Sequence, residues 1–346
     1  MPPKHLNSGT SQGELALLHR IRERASQITT QPLRLGIGDD CALLRLRPGE
    51  ELAITTDLSI AGRHFRPDWH QPESIGYRAL ARGLSDLAAM PPPPPPAPHS
   101  LGLPRELTLS SNGRTPWVER FLDGLLALAL TNKTPLAGGD LSESPLPIAD
   151  IVLTGAVPRG KALLRSGARP GHLIYVTGRL GGAAAGLARL ADLAKSSGAQ
   201  TGRPHPPRIP KRLAPQFAPH LYPQPRIAQG LFLQRRGIAS AAIDLSDGLS
   251  TDLAHICEES RVAAEVDSAL IPIHPGATLA LALHGGEDYE LLFTAPATTR
   301  IPRTIAGAPI ACIGRVMKAR AGTPAVILLT PQGPRSLEAQ GWQHFS

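Results

Sequence analysis

Eight of the fourteen aspartates sit beside Gly, Ser or Thr in six short clusters: Asp39 and Asp40 in GIGDDCALL, Asp57 in ITTDLSIAG, Asp86 in LSDLAAM, Asp140 in AGGDLSE, Asp244 and Asp247 in IDLSDGL, and Asp288 in HGGEDYELLF. Each cluster adjoins an apolar run. Carboxylates at strand ends beside small residues suit a hard cation such as Mg2+, which takes oxygen ligands, keeps several waters and leaves room for phosphate oxygens. A single Asp after Gly or Ser is ordinarily an Asx turn or a helix N-cap, and Asp247 can cap the helix that follows it. Six clusters in one chain are harder to assign to turns alone. If they converge, their negative charge persists only with metal bound or with raised pKa values.

Polyphosphate chemistry is the natural use of such a site, so a phosphate-binding loop is the first thing to look for. GAVPRGKA, residues 155–162, satisfies G-x-x-x-x-G-K but puts Ala162 where a Ser or Thr hydroxyl would hold the metal. The turn-like SGARPG follows too closely for the helix whose N-terminus would receive the phosphates. TGRLGGAAAGL is a glycine turn without the dinucleotide spacing G-x-G-x-x-G. Any nucleotide must therefore be held mainly through carboxylate-bound metal.

The elements that would carry these clusters alternate along the chain. Strand-like runs stand at LAIT (52–55), ELTL (106–109), ADIVLTGAV (149–157), HLIYVTG (172–178), AAIDLS (241–246), YELLFT (289–294), APIACIG (308–314) and AVILLT (325–330). Helical runs intervene at about 72–89, 115–131, 181–196, 226–236 and 247–259, after a first helix that a Ser11–Glu14 capping box opens and Leu15, Leu18 and Ile21 line. Such interleaving predicts a layered α/β or α+β chain, and 346 residues suit two domains. The composition shift divides them into 1–155, with the metal- and nucleotide-binding Asp clusters, and 156–346.

The net charge of +8 is unevenly spread. Residues 1–150 are nearly balanced, whereas Arg159 to Arg236 holds fourteen basic residues and one acid. Counterion release could use such a stretch on nucleic acid, but it is interleaved with Pro and Ala, lacks stacking aromatics and matches no nucleic-acid motif. Residues about 197–225 read instead as an exposed Pro/Arg-rich insertion. Three scattered cysteines, Cys41, Cys257 and Cys312, suggest neither disulfides nor a zinc site and fit a reducing cytoplasm. No stretch approaches the roughly 18 apolar residues of a membrane span or the core of a signal peptide.

Taken in order, GELALLHRI, GIGDDCALL, ITTDLSIAGRHF, ALARGLSDLAAM, GGD, RSGARPG, HLIYVTGRLGGAAAGL, AIDLSDGLSTDLAHI, HGGEDYELLFT and the terminal GWQHF resemble the thiamine-monophosphate kinases. These belong to the wider group of aminoimidazole ribonucleotide synthetase, formylglycinamidine synthase and selenophosphate synthetase. The resemblance implies a two-domain chain dimerising through its N-terminal strands and passing the γ-phosphoryl group of ATP to thiamine monophosphate. It implies Asp40, Thr55, Thr56, Asp57, Asp86, Asp140, Asp244 and Asp247 as ligands of several Mg2+ ions. Gly139, Asp140, Arg165 and Ser246 are implied for ATP, and His64, Glu287 and Trp342 for the thiamine phosphate, with Asp288 serving the turn beside Glu287.

A phosphate monoester with its second pKa about 6 is already a nucleophile at neutral pH, so direct in-line transfer without a catalytic base is expected. Three positions depart from the family: Gly83 for Asn, Leu141 for Thr, and the run Pro91–Pro96 for a Gly-Ala turn. Six prolines predict that the helix over 72–89 stops by Met90 and that an extended surface strut follows. Two other readings stay open: a sister synthetase of the selenophosphate or aminoimidazole ribonucleotide type, and a non-catalytic metal- or nucleic-acid-binding descendant. The first lacks a reactive N-terminal Cys that selenide chemistry would need.

Overall fold

The computed structural model describes residues 14–28, 33–37, 41–91, 97–109, 115–196, 206–323 and 325–342. Two sheets organise them. The first takes strands β1 (Glu50–Ile60), β2 (Ala97–Leu103), β3 (Leu136–Glu143) and β4 (Ile148–Pro158) in the order β1-β4-β2-β3, with only the β2–β3 pair parallel. The second takes β5 (Leu173–Thr177), β6 (Ala241–Asp244), β7 (Val262–Asp267), β8 (Leu291–Ala295), β9 (Ala308–Lys318), β10 (Val326–Thr330) and β11 (Gly333–Ser336). Their order is β11-β10-β7-β9-β5-β8-β6, with the short Thr304–Ile305 on β9. The layered α/β expectation holds. Strand β4 runs through residue 155 to Pro158, paired with Glu50, so the first sheet extends past the predicted division.

Helices α1 (Glu14–Ala25), α2 (Pro72–Ala89) and α3 (Trp117–Thr131) cover one face of the first sheet. Helix α4 is Gly182–Ser196, α5 Ala214–Leu221, α6 Ile227–Arg236, α7 Leu249–Ser260 and α8 Leu279–His284. In α1 the buried side is Leu17, Ile21 and Ala25, with Leu18 of the predicted face only partly buried; Ser11 of the expected capping box lies outside the described residues. Helix α7 packs on one face of the second sheet. Against the other face lie α6 and the end of α2, through Ala88, Ala89, Leu233 and Phe293.

Helix α2 is thus wedged between both sheets, and 14 of its 18 residues are buried. Two glycines permit its crossing with α3: a Cβ on Gly76 would stand 1.9 Å from the Phe121 carbonyl oxygen, and one on Gly124 1.8 Å from that of Glu73. The backbones touch, and no side chain fits between them. The helix ends at Ala89 as expected, with Met90 as its C-cap. Pro91 is buried against Gly230 of α6 instead of opening a surface strut, and Pro92–Pro96 lie outside the described residues.

Two further expectations are corrected. ELTL forms a single 3-10 turn over Arg105–Thr108, because the segment is unburied and has no strand beside it. Residues 206–225 are not an exposed insertion: Phe217, His220 and Leu221 of α5 are buried, the apolar two beside Leu190 of α4. Apolar residues spaced four apart in a Pro-rich stretch outweighed its charge, since Pro215 falls in the first turn, where no backbone hydrogen bond is lost.

Gly76→Ala and Gly124→Ala are expected to lower the unfolding free energy by roughly 2–3 kcal/mol each, the cost of overpacking against immovable backbone. Urea titration measures it, with Gly138→Ala, whose Cβ would meet no heavy atom within 4 Å, as a near-neutral control. A change below about 0.5 kcal/mol at Gly76 and Gly124 would mean the α2–α3 crossing is loose.

Candidate active site

One face of α2 carries Arg78, Arg82, Ser85 and Asp86, at spacings that stack side chains along a helix. It meets the end of β6, where Asp244 closes the strand and Leu245–Gly248 turns into α7. Ser85 Oγ donates to Asp244 Oδ2 at 2.6 Å, joining the two sheets at their carboxylates. From β1, the Thr55 hydroxyl donates to Asp86 and Asp57 lies beside Arg82 Nη2 at 3.2 Å. Thr55 and Asp57 reach this side together because strand residues two apart share a face. Thr56 consequently points to the opposite face, where it donates to Asp150.

The remaining wall is a braid of backbone. Glu287 N donates to Ser246 O at 2.7 Å, Tyr289 N to Leu245 O at 2.9 Å, and Trp342 N to Asp247 O at 3.3 Å. Gly286 and Gly341 allow it, since a Cβ on either would lie 2.4 Å from Ser246 O or 2.1 Å from Asp247 O. Glu287 and Tyr289 adopt φ of 64° and 51°, a left-handed conformation costly for a side chain and typical of sites held by their surroundings. Asp288 does not serve its own turn. Its carboxylate accepts from Gly181 N at 2.6 Å and Ala183 N at 3.1 Å, capping α4.

Two clefts flank the Asp86–Asp244 seam, and both carboxylates line both clefts. The first, about 360 Å³, is bounded by Asp57, His64, Arg82, Ser246, Asp247, Glu287 and Trp342 among others. The second, about 650 Å³, is bounded by Thr55, Met90, Arg165 and Ser166. Ten of the predicted positions thus gather at the seam or its clefts. Gly139 and Asp140 line neither; Asp140 sits on β3 and accepts from Ser142 at 2.8 Å. Asp40 lies outside the described residues. The charged row Arg78–Arg82–Asp86 was readable as a four-residue period but is hidden in a helix otherwise read by its apolar residues. His70 and His220 carried no local signal, because they are partners 150 residues apart, and Asp252 sits among the apolar residues of a helix.

Electrostatics at the seam follow from burial. Burial first, and then Asp86, outweigh Arg82 and push Asp57 up to about 6. Burial and then Asp86 push Asp244 to about 7, and burial with Asp244 and Asp247 pushes Asp252 to about 8. Asp252 accepts from Asp247 N and Gly248 N, holding that turn. Glu287 goes the other way: burial would raise it, but Arg78, His220 and Arg82 hold it well below the usual carboxylate range. Both its oxygens lie 2.6 Å from Arg78 Nη2. It is therefore already neutralised by the protein rather than a free anion awaiting a cation.

An all-oxygen donor set whose members raise one another's pKa fits a hard divalent cation. Among the described residues no three His, Cys, Asp or Glu side chains form a ready-made metal-binding group by themselves. Arg78 Nε and Arg82 Nε are buried without a hydrogen-bond partner. At Gly83 a Cβ would lie 2.9 Å from Leu153 Cδ1 and 3.6 Å from Asp57 Oδ2, so the glycine leaves space beside that carboxylate. Leu141 packs on the first core.

Residues 38–157 match the AIR synthase related protein, N-terminal domain. Over 348 aligned positions, covering 96% of this chain and 98% of the relative, the sequence is 40% identical to thiamine-monophosphate kinase of Escherichia coli K12. The chain belongs to the thiamine-monophosphate kinase family. The crystal structure of thiamine-monophosphate kinase from Stenotrophomonas maltophilia K279a superposes with a TM-score of 0.74 at 36% identity, covering 91% of this chain and 96% of that one. AaThiL, complexed with AMPPCP and TMP, superposes at 0.70 with 28% identity, covering 99% and 100%. Family membership accords with the departures at Gly83 and Leu141 being local, since neither displaces Asp57 or Asp86 from the seam.

Asp57 and Asp244 hold protons more tightly folded than unfolded, so stability falls as pH rises from about 4 through about 7. Metal-free protein is therefore expected to melt at lower temperature at about pH 8 than at about pH 5, and Mg2+ to raise the Tm more at the higher pH. Thermal unfolding in chelator and in Mg2+ measures both. A metal-free Tm that climbs over that range would contradict the seam's repulsion.

Proposed function

We propose that this protein transfers the γ-phosphoryl group of ATP to thiamine monophosphate, giving thiamine diphosphate and ADP. The observation that carries the reading is the pair of clefts sharing Asp86 and Asp244, in a chain of the thiamine-monophosphate kinase family. A group passed between two bound molecules needs two pockets that open on one line. The relative AaThiL was solved with AMPPCP and TMP, a nucleotide analogue and an acceptor for these two roles.

ATP occupies the larger cleft, with Arg165 close enough to Asp86 and Asp244 to lower their pKa values and so to meet phosphate oxygens there. The acceptor occupies the smaller cleft, its phosphate toward Arg63, His64 and Arg82 and its ring toward Trp342. Mg2+ would be held by Asp57, Asp86, Asp244 and Asp247 with Thr55 beside them, and Asp40 is assigned to the same set. When bound it neutralises the charge of two polyanions that otherwise repel. The chain's own part is positioning: Ser85 and Thr55 fix the seam carboxylates, and the Arg63 and Arg82 cations draw the acceptor phosphate inward. The dianionic phosphate is itself the nucleophile, so no side chain removes a proton and no phospho-enzyme forms.

The protein acts as a homodimer. Leu52, Ile54 and Leu58 project in a row from the outer face of β1, an edge strand, and Ile54 is 63% exposed. A second copy of the same face is the partner such a self-complementary stripe fits. Thr56 and Asp140 lie on this sheet's outer rows, which removes them from one protomer's seam. Free cysteines at 41, 257 and 312 support a reducing cytoplasm, and no helix among the described residues is long and apolar enough to cross a membrane.

With ATP and Mg2+, ADP is expected to appear with thiamine monophosphate but not with thiamine or without acceptor. Asp86→Asn and Asp247→Asn should each lower kcat at least about 100-fold, the order lost with one transition-state charge partner, while circular dichroism stays unchanged. Equal turnover of thiamine would exclude the reading. Ile54→Asp should halve the mass seen by light scattering; an unchanged mass would assign the stripe to something other than self-association.

A further inference from the structure

Two buried histidines form part of the wall of the smaller cleft. His70 ends the loop 61–70 and His220 lies in the last turn of α5, 150 residues apart, and their Nε2 atoms lie 2.9 Å apart with each residue 2% exposed. Between two such nitrogens one must donate and one accept. His220 Nδ1 faces Glu287 Oε2 at 3.4 Å, and Glu287, ionised beside Arg78, can only accept. That contact sets the direction we read for the pair: with the His220 proton on Nδ1, its Nε2 accepts from His70 Nε2–H, and His70 Nδ1, 3.2 Å from Arg66 N and 3.1 Å from Arg66 O, accepts from the N–H. Both rings stay neutral: burial, with Arg78 and His220 beside it, pushes His70 down to about 3, and burial with Arg78 lowers His220.

The chain of bonds has a mechanical meaning. Loop 61–70 carries Arg63, His64 and Phe65 into the cleft. Beside the apolar seats of Phe65 in the first core and Trp69 on the α5 cluster, two side chains from outside it hold the loop by hydrogen bonds, Arg78 Nη1 on the His64 carbonyl at 3.2 Å and His220 on the His70 ring. Both holds lead to Glu287, since Arg78 and His220 are its partners. The 3.4 Å contact is too long to add much energy by itself, so its role is to set the polarity of the His–His bond. Gly186 of α4 lets α5 come close enough, as a Cβ there would stand 3.0 Å from His220 Cβ.

We propose that His70 and His220 are positioning residues for the phosphate acceptor: their buried imidazole pair latches loop 61–70 to Glu287 and α5, and so fixes the shape of the acceptor cleft but not of the nucleotide cleft. This rests on the acceptor assignment above for its kinetic arm only. His70→Leu and His220→Leu are expected to raise KM for thiamine monophosphate roughly tenfold, with KM for ATP and kcat within about twofold. The double variant should be no worse than either single one, because both cut one bond. His70→Gln, which can still donate to His220 Nε2, should restore most of the affinity. In protein without ligand, amide hydrogen exchange over residues 61–70 should quicken in the leucine variants and return toward wild type in His70→Gln. If a leucine variant does not fold, His70→Asn, polar but too short to reach His220, carries the same expectation. A wild type that ignores thiamine monophosphate would overturn the acceptor assignment while the exchange experiment still decides on the latch. Unchanged exchange in folded variants, additive losses in the double variant, or an equal rise in KM for ATP would overturn the latch.

Discussion

A charged helix face buried between two sheets is the constraint from which the rest of this protein follows. Helix α2 is packed so closely that its backbone touches that of α3, which buries Arg78 and leaves Arg82 and Asp86 only the clefts to face. Buried charges survive only when paired or when they coordinate something, since stranding one costs several kcal/mol. Each therefore dictates a partner from elsewhere: Glu287 for Arg78, Asp57 for Arg82, and Thr55 with a cation for Asp86. The site is the set of partners that the helix's burial requires.

That origin explains the division of charge. On the acceptor side the protein has more cation than it neutralises internally, because Glu287 balances Arg78 and leaves Arg82 shared with a proton-hungry Asp57. Along the seam it has more carboxylate than cation, which Mg2+ would offset. On the proposed assignment, a phosphate in the first cleft would meet attraction from the protein itself, and a nucleotide in the second would meet it through metal, so that two polyanions could be brought together.

The sequence displayed the acids and concealed their company. Asp57, Asp86, Asp244 and Asp247 stood out because small residues beside a carboxylate at a strand end are a local pattern, and the order of the motifs fixed the family. Helix α2 was legible to the residue, since Pro72 opens it and a proline run closes it. Strands β2 and β3 were not, because Pro98, Gly102, Gly138 and Gly139 erase strand propensity, and of these Gly139 is where the backbone comes close, against the His99 carbonyl. The helix α5 was lost in a Pro- and Arg-rich stretch whose three buried side chains mattered more than its composition. Pairings such as Arg78–Glu287, 209 residues apart, leave no trace in a single chain.

The braid that ties Trp342 to Asp247 has a consequence for how the molecule comes into being. Its first sheet and helix α2 are complete by residue 158, yet Arg78 waits for Glu287 and the seam waits for the segment around 341. At about 5–20 residues per second of synthesis, roughly 15–60 seconds separate Asp57 from Trp342. Within that interval the nascent chain carries an unpaired Arg78 until Glu287 is made, and the bare apolar end of α2 until α6 and β8 cover Ala88 and Ala89. A newborn chain is therefore most exposed to aggregation over its middle length, and the braid that closes the site is tied last.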